Sequence, residues 1–144
     1  MLIGQYSHTI DDKKRLSLPS KWKSVFSKKV VVTRGLDACL FVYTTAEWAK
    51  IADKLAQTSM GSKDARDLNR FFLSGAVEID VDSAGRILIP DFLLEFAKLD
   101  EKVIFAGLYK RAEIWNTANW EKSQKEVSKN ADNVASKLQE IGMI

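Results

Sequence analysis

Two stretches of the chain place a carboxylate and a guanidinium at one fixed spacing. "IDDKKRLSLP" runs from Ile10 to Pro19 and "VDSAGRILIP" from Val81 to Pro90; each reads Asp, three residues, Arg, apolar, one residue, apolar, Pro. An arginine offers a planar fork of donors that fits the O6 and N7 edge of guanine, and equally the oxygens of a phosphate. An aspartate four positions earlier can close a tight turn or orient that fork. Arg15 and Arg86 are therefore candidates for nucleic-acid contact, with Asp11 and Asp82 beside them. A local ion pair that serves only the fold is the competing reading, but an exposed pair contributes only about 0–1 kcal/mol, a weak reason to carry two. Lys13 and Lys14 surround Arg15 with positive charge suited to positioning phosphates, or form a solvated basic turn and nothing more. The second turn, "DSAG", has no lysine, so the first copy is expected to contribute more phosphate affinity. Lys21, Lys23 and Arg34 read as surface residues.

Other chemistry finds little support. His8 is the only histidine and Cys39 the only cysteine, so neither a zinc set nor an internal disulfide can be built. A Cys–His nucleophile pair survives the count, but His8 falls in an alternating stretch and Cys39 in an apolar one. "GSKD" (Gly61 to Asp64) lacks the glycine spacing of a phosphate-binding loop. Asp80 and Asp82 could imitate a metal pair, and an acidic hairpin arm is the simpler reading. The expectation is a non-enzyme without catalytic residues, cofactor, metal or small-molecule substrate.

The phrase belongs to a larger repeat. The two copies align at an offset of 71; at an offset of 72, "VVVTRGL" (Val30 to Leu36) aligns with "KVIFAGL" (Lys102 to Leu108), and "YTTAEW" (Tyr43 to Trp48) with "WNTANW" (Trp115 to Trp120). Two copies are too few for a solenoid and suit a pseudo-twofold domain of two halves. Each half has the same grammar. Apolar alternation before and after each Asp-to-Arg turn predicts strand, turn, strand. Gly85 can take a positive φ cheaply, whereas Lys14 at the matching position bears about 1 kcal/mol if left-handed, so the turns are expected to differ. Pro19 and Pro90 end strand pairing and open short helices. Apolar strands follow near Val30 and Val103, Gly35 and Gly107 mark turns, and "CLFVY" and "AEIWN" return. Thr45 and Thr117 are N-cap candidates for the next helices. A linking helix runs from near Ser62 to Leu73, and a C-terminal helix carries Val134, Leu138 and Ile141 on one face, ended by Gly142.

The 144 residues are 46% hydrophobic and 28% charged, enough for one folded unit. No apolar run reaches the ~18–20 residues of a membrane span, and the start lacks the pattern of a signal peptide. Net charge is +3, yet residues 1–36 alone carry eight Lys and Arg against Asp11 and Asp12. A basic end on a mildly acidic body suggests an oriented electrostatic surface. Arg66 and Arg70 suit a subunit contact or a carboxylate pairing. Trp22, Trp48, Trp115 and Trp120, with Phe71 and Phe72, suit a core or an interface.

The stretches "GQYSHTIDDKKRLSLPSKWK", "ACLFVYTTAEW", "DARDLNRFFLSGAVEIDVDSAGRILIP" and "AEIWNTANW" together resemble the MraZ family of bacterial transcription regulators, in order and over nearly the whole chain. The family's Gly-Arg doublet is intact at Gly85-Arg86 and replaced by Lys14-Arg15 in the first copy. The resemblance implies an α+β, β-rich fold: a double-split, swapped-hairpin β-barrel of the AbrB-like class, built from two internal repeats with short helices and a C-terminal helix. The halves are expected at 1–61 and 77–130, with a linking helix at 62–76 and the C-terminal helix at 131–144. It also implies a ring-shaped homo-oligomer, expected as an octamer, in the cytoplasm at the nucleoid. Its partner would be double-stranded promoter DNA with short repeated boxes, and its effect repression of the division and cell-wall gene cluster. Arg15 and Arg86 would face DNA, with Lys13, Lys14, Asp11 and Asp82 around them. The alternative is a protein-interaction module of the same barrel class, antitoxin-like.

Overall fold

The computed structural model describes all residues, 1–144. In the first half, β1 (Leu2–Thr9) and β2 (Arg15–Ser17) flank the first Asp-to-Arg turn. A 3-10 turn (Ser20–Trp22), α1 (Lys23–Phe26), β3 (Lys29–Arg34), β4 (Leu40–Thr44) and α2 (Thr45–Ala56) follow. After α3 (Lys63–Leu73) the order recurs as β5 (Val77–Asp80), β6 (Arg86–Leu88), α4 (Asp91–Phe96), β7 (Lys102–Tyr109), β8 (Ala112–Asn116) and α5 (Thr117–Glu140).

The halves are interleaved. One six-stranded antiparallel sheet has the order β1-β7-β8-β4-β3-β5, and β2 pairs only with β6. The order reads the same from either end once repeats are equated: β4 and β8 lie at the centre, and each half lends its first strand to the other half's edge. Thus Tyr6 pairs with Phe105 across the halves, as Ile79 pairs with Val30. The ladders form a six-stranded sheet and a separate two-stranded ribbon. The ribbon strands are each three residues long and are followed closely by Pro19 or Pro90. A single bridge, Ile10 to Leu16, links the end of β1 to β2.

The central strands are apolar runs because both sheet faces are covered. On one face the ribbon, α1 and α4 seal the main core, in which Leu16, Leu18, Trp22, Val30, Phe105, Ile87, Ile89 and Leu93 are buried. Trp22 stands edge-on to Tyr6 and Phe105, with ring centroids 5.2 and 5.9 Å away. On the other face Trp48 and Ile51 of α2, Phe72 of α3 and Trp120 of α5 cover Cys39, Phe41, Tyr43, Ile104 and Trp115. Beneath them the buried Glu113 accepts from Trp115 Nε1 at 3.0 Å and from Arg111 Nη2 at 3.0 Å, and the Arg111 guanidinium lies 4.4 Å from the Phe41 ring centroid. Glu113 thereby satisfies a buried indole and a cation together.

Several local expectations shift. The helix caps are Thr44, accepting from Glu47 N–H, and Asn116, accepting from Asn119 N–H; Thr45 and Thr117 are the first helical residues. Thr44 to Glu47 has the spacing of a capping box, which favours the earlier threonine. Gly107 lies within β7, not at a turn: β1 crosses so closely that a Cβ there would stand 2.6 Å from backbone atoms of Leu2 and Ile3. The helix expected from residue 131 is the distal part of α5, unbroken from Thr117, since nothing between them breaks a helix. It ends as expected: Gly142 has φ 74°, and Gly142 and Met143 N–H donate to Gln139 and Leu138 carbonyls. No helix is long and apolar enough to cross a membrane.

Candidate functional site

The two Asp-to-Arg turns are built alike. In the first, Asp11 Oδ1 accepts the backbone N–H of Lys13 and of Arg15, each at 2.9 Å, while Oδ2 accepts Arg15 Nε at 2.8 Å. In the second, Asp82 Oδ1 accepts the N–H of Ala84 at 3.0 Å and of Arg86 at 2.8 Å, and Oδ2 accepts Arg86 Nε at 2.8 Å. The backbone closes identically: Lys14 N–H donates to Asp11 O and Gly85 N–H to Asp82 O. Lys14 adopts φ 63° and Gly85 φ 78°. The expectation of unequal turn shapes is thus corrected. Lys14 accepts the left-handed conformation because the hydrogen bonds around it define the turn, and these outweigh a strain of about 1 kcal/mol.

Each carboxylate is committed to its own turn. The Arg15 and Arg86 backbone N–H bonds are the main cause that holds Asp11 and Asp82 below the usual carboxylate range, with the guanidinium bonds adding to it. Because Nε is engaged by aspartate, each guanidinium is fixed in orientation while its two Nη groups bond no protein acceptor.

Ribbon register sets the relation between the two arginines. Leu16 faces Ile87, Arg15 faces Leu88, and Ser17 faces Arg86. Side chains alternate across a strand, so Leu16 and Ile87 point into the core while Arg15, Leu88, Ser17 and Arg86 share the outer face. Arg15 and Arg86 are diagonal neighbours, about 7–8 Å apart by ladder geometry and somewhat closer at their Cβ atoms. The interleaving therefore gathers two guanidiniums, distant in sequence, onto one exposed patch.

The lysines distribute differently from the expectation. Lys13 is exposed and bonds nothing through its ammonium. Lys14 forms an ion pair with Asp91 at the start of α4, and Glu95 lines the same groove. The second turn, lysine-free in sequence, receives Lys23 from α1: its Nζ reaches Ala84 O at 3.4 Å. The same ammonium, after burial, holds the His8 imidazole below its usual range. Lys23 read as a surface residue because its target lies 61 residues away. The clue was that α1 begins only six residues after β2 ends, beyond the 3-10 turn, and the chain leaving β2 lies against the second turn, where Leu18 N–H donates to Gly85 O. Arg34, also read as a surface residue, fastens α3 to β3 by donating from Nε to Phe71 O at 3.0 Å and from Nη2 to Arg70 O at 3.2 Å. Arg70 pairs with Asp67 at 2.9 Å, and Arg66 donates to Met60 O at 2.7 Å.

Comparison with known proteins agrees with this architecture. The model of one family, described as "MraZ protein, putative antitoxin-like", matches twice, over residues 1–71 and 72–140. A protein from Caldanaerobacter subterraneus subsp. tengcongensis is 48% identical over 96% of both chains. One from Caldicellulosiruptor saccharolyticus is 44% identical over 99% of this chain and all of its own. One from Alkaliphilus oremlandii is 43% identical over the same shares. Each of the three bears the name "Transcriptional regulator MraZ". A twofold family match along the chain, near-complete relatives and two interleaved repeats agree: the chain belongs to the MraZ family.

Proposed function

We propose that this protein is a transcriptional regulator that binds double-stranded DNA through the outer face of the β2–β6 ribbon. The observation that carries the reading is the matched pair of guanidiniums on one face, each tethered at Nε with both Nη groups unengaged. Neighbouring strands lie about 4.8 Å apart, so a two-stranded ribbon fits a major groove about 12 Å wide. There Arg15 and Arg86 address base edges, each good bidentate contact discriminating by about 1–3 kcal/mol. Asp11 and Asp82 position them, and Lys13, with Lys14 as far as Asp91 releases it, meets phosphate.

One ribbon touches only a short length of duplex. Assembly into a ring facing repeated promoter boxes turns the later contacts into intramolecular ones, raising avidity by about 10²–10⁴-fold. In this reading the protein occupies the promoter of the division and cell-wall gene cluster, as a nucleoid-associated repressor. The test is binding to its own promoter DNA across salt, for wild type and for Arg15→Ala with Arg86→Ala. The double variant is expected to stay folded and assembled and to lose specific binding; unchanged binding by a folded, assembled double variant refutes the proposal. A protein-interaction role is favoured by one observation, the exposed Val127 and Val134 of α5 and Ile141 just beyond its end. It predicts partner capture that the Arg substitutions leave intact.

A further inference from the structure

Charge counted along the chain makes the first turn the basic one; charge counted in space reverses this. Around the first turn Lys13, Lys14 and Arg15 meet Asp11, Asp12 and, through the ion pair with Lys14, Asp91. The local balance is zero. Around the second, Arg86 and the incoming Lys23 meet only Asp82, leaving one net positive charge. The repeat counterpart of Lys23, at the offset of 71, is Leu94, so the first turn receives an apolar side chain from α4 where the second receives an ammonium.

Gly85 is shaped to this arrangement. A Cβ at Gly85 would stand 2.8 Å from both Cδ and Nζ of Lys23, so a side chain there would displace the end of the lysine. The stem of Lys23 therefore fills the space that a side chain at position 85 would need. At the matching position the first turn carries Lys14, and the counterpart of Lys23 there is Leu94. We propose that Lys23 is a phosphate-binding residue of the second turn: its stem is seated on Gly85, its ammonium held at the turn by Ala84 O, beside the guanidinium of Arg86. An ammonium has three donors and Ala84 accepts one, so two remain for phosphodiester oxygens. The ligand class is the nucleic-acid backbone, and the interaction carries affinity rather than sequence information. The inference rests on the proposed DNA-binding reading.

The test uses the full-length protein with two duplexes of equal length, one from its own promoter and one unrelated. Affinity is measured across salt for wild type, Lys23→Gln, Lys23→Arg and Lys125→Gln. Glutamine keeps the stem over Gly85 and removes the charge; Lys125 lies on α5, which packs on the opposite sheet face. Lys23→Gln is expected to weaken binding to both duplexes alike and to lower the slope of log K against log salt by about 0.9 for each phosphate that is no longer neutralised. Lys23→Arg restores the slope, and Lys125→Gln leaves it at the wild-type value. A wild-type slope for Lys23→Gln, while Arg15→Ala with Arg86→Ala abolishes binding, overturns the role of Lys23 and spares the reading beneath it. An equal loss for Lys125→Gln also overturns it, since only net charge would then matter. Unchanged binding by the double arginine variant overturns both.

Discussion

Replacing Ile87 by alanine tests the register on which the arginine patch depends. Ile87 is 1% exposed and faces Leu16, itself fully buried, across the ribbon. The substitution removes three buried carbons, about 2.4 kcal/mol at about 0.8 kcal/mol each. If the walls do not relax, a cavity of about 80 Å³ adds up to roughly 2 kcal/mol at about 24 cal/mol per Å³. Partial collapse places the loss at about 3–4 kcal/mol. Leu88, one residue on, is 57% exposed on the outer face; the same truncation removes no enclosed volume there and costs about 1 kcal/mol or less. Thermal denaturation at fixed protomer concentration, followed by the intrinsic fluorescence of the four tryptophans, measures both variants. With about 2–4 °C lost per kcal/mol in a chain near this size, melting points should fall by roughly 6–16 °C for Ile87→Ala and by about 4 °C or less for Leu88→Ala. Equal losses, or a larger one for Leu88→Ala, would falsify the register. A one-residue slip exchanges the two faces and would turn Arg86 inward, so the proposed interface would fall with it.

Asp91→Asn should release Lys14, tighten DNA binding and steepen its salt dependence by up to about 0.9 in log–log slope; salt titration showing no change would mean that Lys14 reaches no phosphate. The lowered pKa values of Asp11 and Asp82 mean that the unfolded chain binds protons more readily than the fold. Their stabilising contribution is therefore complete above the unfolded value of about 3.9 and lost as pH falls through the lower native values. Acid unfolding of Asp11→Asn with Asp82→Asn should show a shallower pH dependence below about pH 4 than wild type. Asp67, held low chiefly by Lys63 and then Arg70, remains as a shared background. Cys39 is fully buried and its thiol pKa is pushed far up, first by burial and then by Glu113. A thiol reagent at neutral pH should label it only at the rate of unfolding, so rapid labelling of the folded protein would contradict the packing of α2 and α5 over the sheet.

Period-two alternation around the turns was legible because one side of each strand meets the core and the other does not. The repeat was legible because both copies solve the same packing problem with similar residues. What escaped the sequence was local ambiguity or long-range contact. Thr44 and Thr45 are adjacent, and only the spacing to Glu47 distinguishes the cap. Gly107 looked like a turn because the approach of β1 that it permits comes from the far end of the chain. Lys23 looked like a surface residue for the same reason, and the ion pair of Lys14 joins residues 77 positions apart. The arginines were legible as chemistry, while their shared face required the pairing of β2 with β6.

The exchange of edge strands has a consequence for how the molecule holds together. With β1 seated on β7, β5 on β3 and β2 on β6, neither half retains a complete sheet or a sealed core when taken alone. Energetically the chain is a heterodimer of two fragments joined by the loop from Gln57 to Ser62. The contribution of that loop is largely entropic: it keeps each fragment in the presence of the other at an effective concentration on the order of millimolar. Severing it would leave every strand pairing intact and convert folding into a second-order reaction, in which stability depends on how much of each fragment is present.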